Sequence, residues 1–183
     1  YIANRIDHAG VVAALDDDRT ESGLVYIVLA LLEGRSLADL LEERGPLPVG
    51  EAVALADKIL DVLMAAHAKG VIHRDVKPGN LLADLAGTLW VTDFGLASSI
   101  KDVSLTITGE LLGTLRYMSP EQALAKRVPV DHRTDVYSLG VILYQEQVMR
   151  IAIEVAGFTP AASDGFRRAM GTYRSEREME KLH

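Results

Sequence analysis

Two short polar stretches, separated by an apolar hairpin pattern, constrain this chain more than any other feature. The first is His73-Arg74-Asp75-Val76-Lys77-Pro78-Gly79-Asn80, which puts a carboxylate, an ammonium and a carboxamide in one loop. It follows a long amphipathic segment and precedes the apolar run Leu81-Leu82-Ala83. The second is Asp93-Phe94-Gly95, a carboxylate in a turn after the strand-like Thr88-Leu89-Trp90-Val91-Thr92. Two acidic groups and an amide on neighbouring turns suit Mg2+, a hard cation that takes oxygen ligands and shares them with phosphates. A lysine just beyond the first aspartate can neutralise a migrating phosphoryl group, so the pattern reads as phosphoryl-transfer equipment.

At 183 residues the chain can bury one core, and its length fits one domain with an appendage. Its 49% hydrophobic and 25% charged residues are ordinary globular composition rather than disorder. A net charge of −7, with no basic stripe, argues against a dedicated nucleic-acid binder. The absence of cysteine excludes disulfides and thiolate metal sites and suits a reducing compartment, so a cytoplasmic location is expected. The longest apolar run, Leu24 to Leu32, falls far short of the roughly 20 residues that span a bilayer. No membrane segment and no secretory leader are therefore expected, and a first residue of Tyr1 rather than methionine suggests a fragment.

The ordered motifs His73-Arg74-Asp75-x-Lys77-x-x-Asn80 and Asp93-Phe94-Gly95 resemble the catalytic and magnesium loops of the eukaryotic-like serine/threonine protein kinases that also occur in bacteria. The resemblance implies an α+β, protein kinase-like fold with a mostly helical C-terminal lobe and an N-terminal lobe largely missing. Residues 1–34 would be a remnant of the small lobe and hinge, 35–144 a partial large lobe, and 145–183 a helical tail of foreign or divergent origin. ATP and Mg2+ would be the cofactors, and proteins bearing serine or threonine the substrates. Asp75 would orient the substrate hydroxyl, Lys77 would face the γ-phosphate, and Asn80 and Asp93 would hold the metal. Thr114 would reach Asp75 and Lys77 from the substrate-facing loop. On the adenine side Leu29 would be the gatekeeper, Ala30 to Gly34, including Leu32, the hinge, and Leu82 the apolar floor.

Arg74 beside the catalytic aspartate implies control by loop phosphorylation, with Thr106 or Thr108 as acceptors, because a phosphate dianion pairs well with guanidinium. His73 and Phe94 would be structural. Asp135 would hold the His73-Arg74 backbone, and Glu121, in Ser119-Pro120-Glu121, would need an arginine. Only Arg167 or Arg168 is offered for that pairing, and a carboxylate buried without a partner predicts a marginal large lobe. The resemblance departs from the family pattern at the front. No glycine-rich loop precedes Arg5, and no strand lysine or partner glutamate is identifiable, so slow turnover is expected.

Along the chain, Asp16 to Gly23 reads as a solvated turn and Leu24 to Leu31 as a buried strand. Ser36 with Asp39 forms a capping box for a helix ending at Gly45-Pro46. A second helix is predicted from Val49 to Lys69, with a core stripe of Ala52, Val53, Ala56, Ile59, Leu60, Leu63, Met64 and His67. His67 is expected to be packed or hydrogen-bonded rather than a ligand, because no second histidine or cysteine stands at ligand spacing. From about residue 141 the chain resembles the fingers region of bacterial DNA polymerase III alpha subunits of the error-prone type. A join is expected at Gly140 to Gln145, a string plausible in both families. The tail is predicted to be a helix to about Val155 and another from Pro160 capped by Thr159. A pseudokinase-like module that binds nucleotide or partners, and a chimera carrying a polymerase piece, are the rival readings.

Overall fold

The computed structural model describes residues 2–84, 86–94, 116–123, 129–154 and 159, with the backbone alone at 146 and 149–154. After a 3-10 turn at Ala3–Arg5, strands β1 (Ala14–Arg19) and β2 (Val25–Leu29) form an antiparallel two-stranded sheet. Strand β3 (Arg35–Ser36) leads into helix α1 (Leu37–Arg44), which is followed by the long helix α2 (Val49–Ala68). A 3-10 turn at Pro78–Asn80 opens β4 (Leu81–Ala83), which pairs with β5 (Leu89–Val91). The second sheet has the order β3-β4-β5. A short helix α3 (Pro120–Ala123) and a long helix α4 (Arg133–Glu154) complete the described elements.

The core lies between α2 and α4 and under the β4-β5 hairpin. Ile59, Val62, Leu63 and Ala66 of α2 cluster with Leu37, Leu41, Leu81, Leu89, Val91, Leu139 and Ile142. Fully burying an aliphatic side chain such as Ile59 or Leu63 stabilises by about 1.5–3 kcal/mol. The buried face of α2 differs from the expected stripe. Val53 and Met64 are 62% and 65% exposed, whereas Val62 and Ala66 are buried. Two adjacent sets of apolar positions share this helix, and contact with the hairpin and α4 decides which set is covered.

The helix starts follow local chemistry. The Ser36 hydroxyl accepts from the Asp39 N–H at 3.1 Å and donates to the Asp39 carboxylate at 2.6 Å. Gly45 ends α1 at φ +76, a left-handed conformation that costs glycine little. Gly34 is required for a different reason. A Cβ there would stand 2.8 Å from the Ala83 carbonyl oxygen, so the backbone at Gly34 lies against β4 only without a side chain.

The first sheet corrects two expectations. Asp16, Asp17 and Asp18 are strand residues, paired with Val28, Ile27 and Tyr26, and the turn is confined to the residues after Arg19. The Thr20 N–H donates to the Leu24 carbonyl at 2.8 Å, and the Leu24 N–H returns to the Thr20 hydroxyl at 3.0 Å. Of the expected buried strand Leu24 to Leu31, the part that forms β2 is exposed along its whole length, from 40% at Val28 to 61% at Val25. Its β-branched and aromatic residues suit a pleated ribbon, but its one sheet neighbour among the described residues is the aspartate-rich β1.

Candidate active site

The catalytic-loop motif sits between α2 and the turn at Pro78–Asn80. The Asp75 carboxylate receives Lys77 Nζ at 2.7 Å, and the Asn80 side-chain nitrogen donates to the same carboxylate oxygen at 3.1 Å and to the Asp75 carbonyl at 2.8 Å. The carboxylate, ammonium and carboxamide singled out in the sequence therefore meet at one point. Asp75 and Lys77 side chains are about a quarter exposed, at 24% and 26%, so this point opens to solvent, whereas Asn80 is buried.

The loop bearing Asp93 is tied to this one by its neighbour. The Thr92 N–H donates to the Asn80 carbonyl at 3.0 Å, and His73 Nε2 donates to the Thr92 carbonyl at 2.7 Å. Burial holds His73 below its usual pKa, with the Thr92 carbonyl and the nearby Asp135, Asp75 and Asp93 charges opposing that shift. His73 Nδ1 accepts the Asp75 N–H at 3.2 Å, which fixes the neutral tautomer with its proton on Nε2. Phe94 is buried and packs edge-on against the same imidazole, with centroids 4.6 Å apart. One neutral histidine thus joins both loops.

Arg74 and Asp93 have left-handed backbones, with φ of 69 and 65, in residues other than glycine. Such conformations cost about 1–3 kcal/mol and persist only where the surroundings over-determine them. For Arg74 the surroundings are explicit. Asp135, with no solvent exposure, accepts the His73 N–H at 2.9 Å, the Arg74 N–H at 2.8 Å and His67 Nε2 at 2.7 Å. His67 is accordingly a hydrogen-bonded histidine. Glu121 is half-buried rather than buried. That corrects the expected burial of this carboxylate, while Arg167 and Arg168, the arginines expected to pair with it, lie outside the described residues.

Sequence reasoning missed Gln122. Its side-chain nitrogen donates to the Arg74 carbonyl at 2.7 Å, while its oxygen accepts from the Thr134 hydroxyl at 2.7 Å and the Ser119 N–H at 3.2 Å. The available signal was Ser119-Pro120-Glu121-Gln122, a capping box with proline at the first helical position. A cavity of about 10 Å3, room for one water, lies among Arg74, Asp75, Val76, Tyr117, Met118 and Ser138.

The remaining predicted site residues divide by position. Leu29 is exposed, and Ala30, Leu32 and Leu82 are half-buried. The Ala30 N–H is spent on the Ala13 carbonyl at 2.9 Å, and Leu82 pairs with Ser36 in the second sheet. Thr106, Thr108 and Thr114 lie outside the described residues. Among the described residues no group of three or more His, Asp or Glu could hold a metal. By donor type, the Asn80 carboxamide oxygen and the Asp93 carboxylate are groups that could hold a hard cation together with phosphates and water; the Asn80 nitrogen is spent on Asp75. No helix among the described residues is long and apolar enough to cross a membrane.

Residues 1–154 match the protein kinase domain family, and the chain belongs to that family. It is 42% identical over 144 residues to a probable serine/threonine-protein kinase of Clostridium perfringens, covering 79% of this chain and 20% of that protein. It is 41% identical over 141 residues to serine/threonine-protein kinase PknL of Mycobacterium tuberculosis, covering 77% of this chain and 35% of that protein. Against serine/threonine-protein kinase PrkC of Bacillus subtilis it is 35% identical over 155 residues, 83% of this chain and 23% of that protein. The chain thus spans a fifth to a third of the length of these relatives. Residues 136–183 also match the bacterial DNA polymerase III alpha subunit finger domain. The two matches overlap on 136–154, which is the greater part of α4.

Proposed function

We propose that this chain carries the ATP- and peptide-handling part of a bacterial-type protein kinase, transferring the γ-phosphate of ATP to a serine or threonine hydroxyl of a protein. The observation that supports this best is the meeting of Asp75, Lys77 and Asn80 at 2.7–3.1 Å, on a loop hydrogen-bonded to the residue preceding Asp93. Asp75 accepts the hydrogen bond of the substrate hydroxyl and aims its oxygen, and Lys77 offsets charge building on the transferred group. Asn80 and Asp93 are the residues that would hold Mg2+, and the bound magnesium–nucleotide supplies the phosphoryl group. Leu29, the hinge through Ala30 and Leu32, and Leu82 would receive the adenine, and Thr114 would complete the substrate side.

In this reading residues 1–34 serve as small-lobe remnant and hinge, 35–144 as large lobe and 145–183 as an added tail, in a cytoplasmic protein. Turnover by the chain alone is slow, because no lysine–glutamate ion pair stands among the described residues to orient the phosphates. The test is transfer of labelled phosphate from Mg·ATP to a generic basic protein. It should be abolished by Asp93→Ala and lowered at least about 100-fold by Asp75→Asn. Nucleotide binding with no transfer by the unsubstituted chain would favour the pseudokinase-like reading instead.

The finger-domain match favours a second reading for the tail, as a piece of polymerase origin. Within 136–154 the side chains of Leu139 and Ile142 join the core, which supports reading the start of this stretch as a kinase helix. A salt-sensitive shift of DNA in a gel would support retained polymerase character, and its absence at low salt would count against it.

A further inference from the structure

We infer that Gln122 is a positioning residue for Asp75, acting through the peptide group between Arg74 and Asp75; this rests on the catalytic reading of Asp75 above. Three consecutive peptide planes around Asp75 are each held by a side chain. The plane before Arg74 presents its N–H to Asp135 at 2.8 Å. The plane after Asp75 presents its carbonyl to Asn80 at 2.8 Å. The middle plane is gripped at both ends, its carbonyl by Gln122 Nε2 at 2.7 Å and its N–H by His73 Nδ1 at 3.2 Å. That plane sets the direction in which the Asp75 side chain leaves the backbone, and it follows a residue strained at φ 69.

Gln122 is suited to this because its own orientation is fixed. Its oxygen is occupied by the Thr134 hydroxyl and the Ser119 N–H, which leaves the amide nitrogen a single heading, toward Arg74. Thr134 and Ser119 are both fully buried, and their hydroxyls lie 2.5 Å apart. The short helix α3 and the start of α4 are thereby locked to the catalytic loop through one carboxamide. Misplacing a catalytic group by a fraction of an ångström is costly when catalysis is mainly positioning.

A merely local capping role predicts that glutamate should serve equally, since glutamate fills the same capping-box position. The proposed role predicts otherwise, because an ionised carboxylate accepts from Thr134 and Ser119 but has no proton for the Arg74 carbonyl. The experiment compares the 183-residue chain with Gln122→Glu in two arms. In the kinetic arm, kcat at pH 8 should fall about tenfold, as expected when the Asp75 carboxylate is misplaced, with the KM for ATP unchanged. The ratio of variant to wild-type kcat should recover as the pH falls and the introduced carboxyl regains a donor proton. In the exchange arm, protection of the Asp75 amide, read by NMR, should drop in the variant while amides of α2 keep theirs. Unchanged Asp75 protection would overturn the inference, as would a kcat loss that does not recover with acid. If the unsubstituted chain transfers no phosphate, the catalytic reading of Asp75 fails, and the exchange arm alone then decides whether Gln122 holds this peptide.

Discussion

The β1-β2 ribbon and the loop around Asp75 are both short pieces of backbone, one a regular strand pair and the other irregular, and they are secured in opposite ways. The ribbon keeps a regular register from Asp16 to Arg19 and has exposed side chains: Val25, Tyr26, Ile27, Val28 and Leu29 are each at least 40% open to solvent. The loop has almost no regular structure and two residues with positive φ, yet every peptide group from His73 to Asp75 ends on a defined partner. Regular secondary structure is thus a poor guide to how tightly a segment is tied into this molecule. Buried polar groups satisfied from several directions are a better one, because each would cost about 1–3 kcal/mol if left unpaired.

The strongest way to break this contrast is to remove the carboxylate that anchors the loop. Asp135→Ala leaves the His73 and Arg74 N–H groups and His67 without their acceptor, and should lower stability by about 4 kcal/mol in urea titration. A loss below about 1 kcal/mol would mean that the loop is held by other means. The core beneath it should respond nearly as strongly: Ile59→Ala, at a site with no solvent exposure, should cost about 3 kcal/mol by the same assay.

The histidine joining the two loops gives a third handle, through pH. Burial lowers the His73 pKa in the folded chain, so the unfolded chain binds a proton first as pH falls below the ordinary value of 6.5. Its contribution to stability is therefore complete above 6.5 and declines on acidification toward the folded-state pKa. The melting temperature should fall between pH 7.5 and 5.5, and the His73→Asn variant should show a shallower fall. At the weak end, Ile27→Ala on the ribbon should change stability by no more than about 0.5 kcal/mol, since its side chain is 44% exposed. Hydrogen exchange should sharpen the same comparison, with ribbon amides exchanging well before those of α2. Similar rates would show the ribbon to be as secure as the core.

Much of this was legible in the chain itself, and where it was not the cause is specific. Ser36 with Asp39, the glycine after α1 and the paired apolar runs of β4 and β5 are short-range patterns, and the folded chain has each of them. The ribbon misled because an apolar run is the same string whether or not something covers it. The stripe on α2 misled because two overlapping apolar faces cannot be ranked without knowing where α4 packs.

The residue types and spacing around Asp75, Lys77, Asn80 and Asp93 were enough to point to the family and to motivate the proposed chemistry, since carboxylate, ammonium and amide groups carry their properties wherever they stand. The family follows from the same letters. The resemblance already pointed to Asp135 as the holder of the His73-Arg74 backbone, but tertiary structure alone decided that Gln122 and Thr92 also hold these loops at their angles. Hydrogen bonds across 61 and 48 residues of chain depend on how helices pack, and packing is a property of the whole molecule.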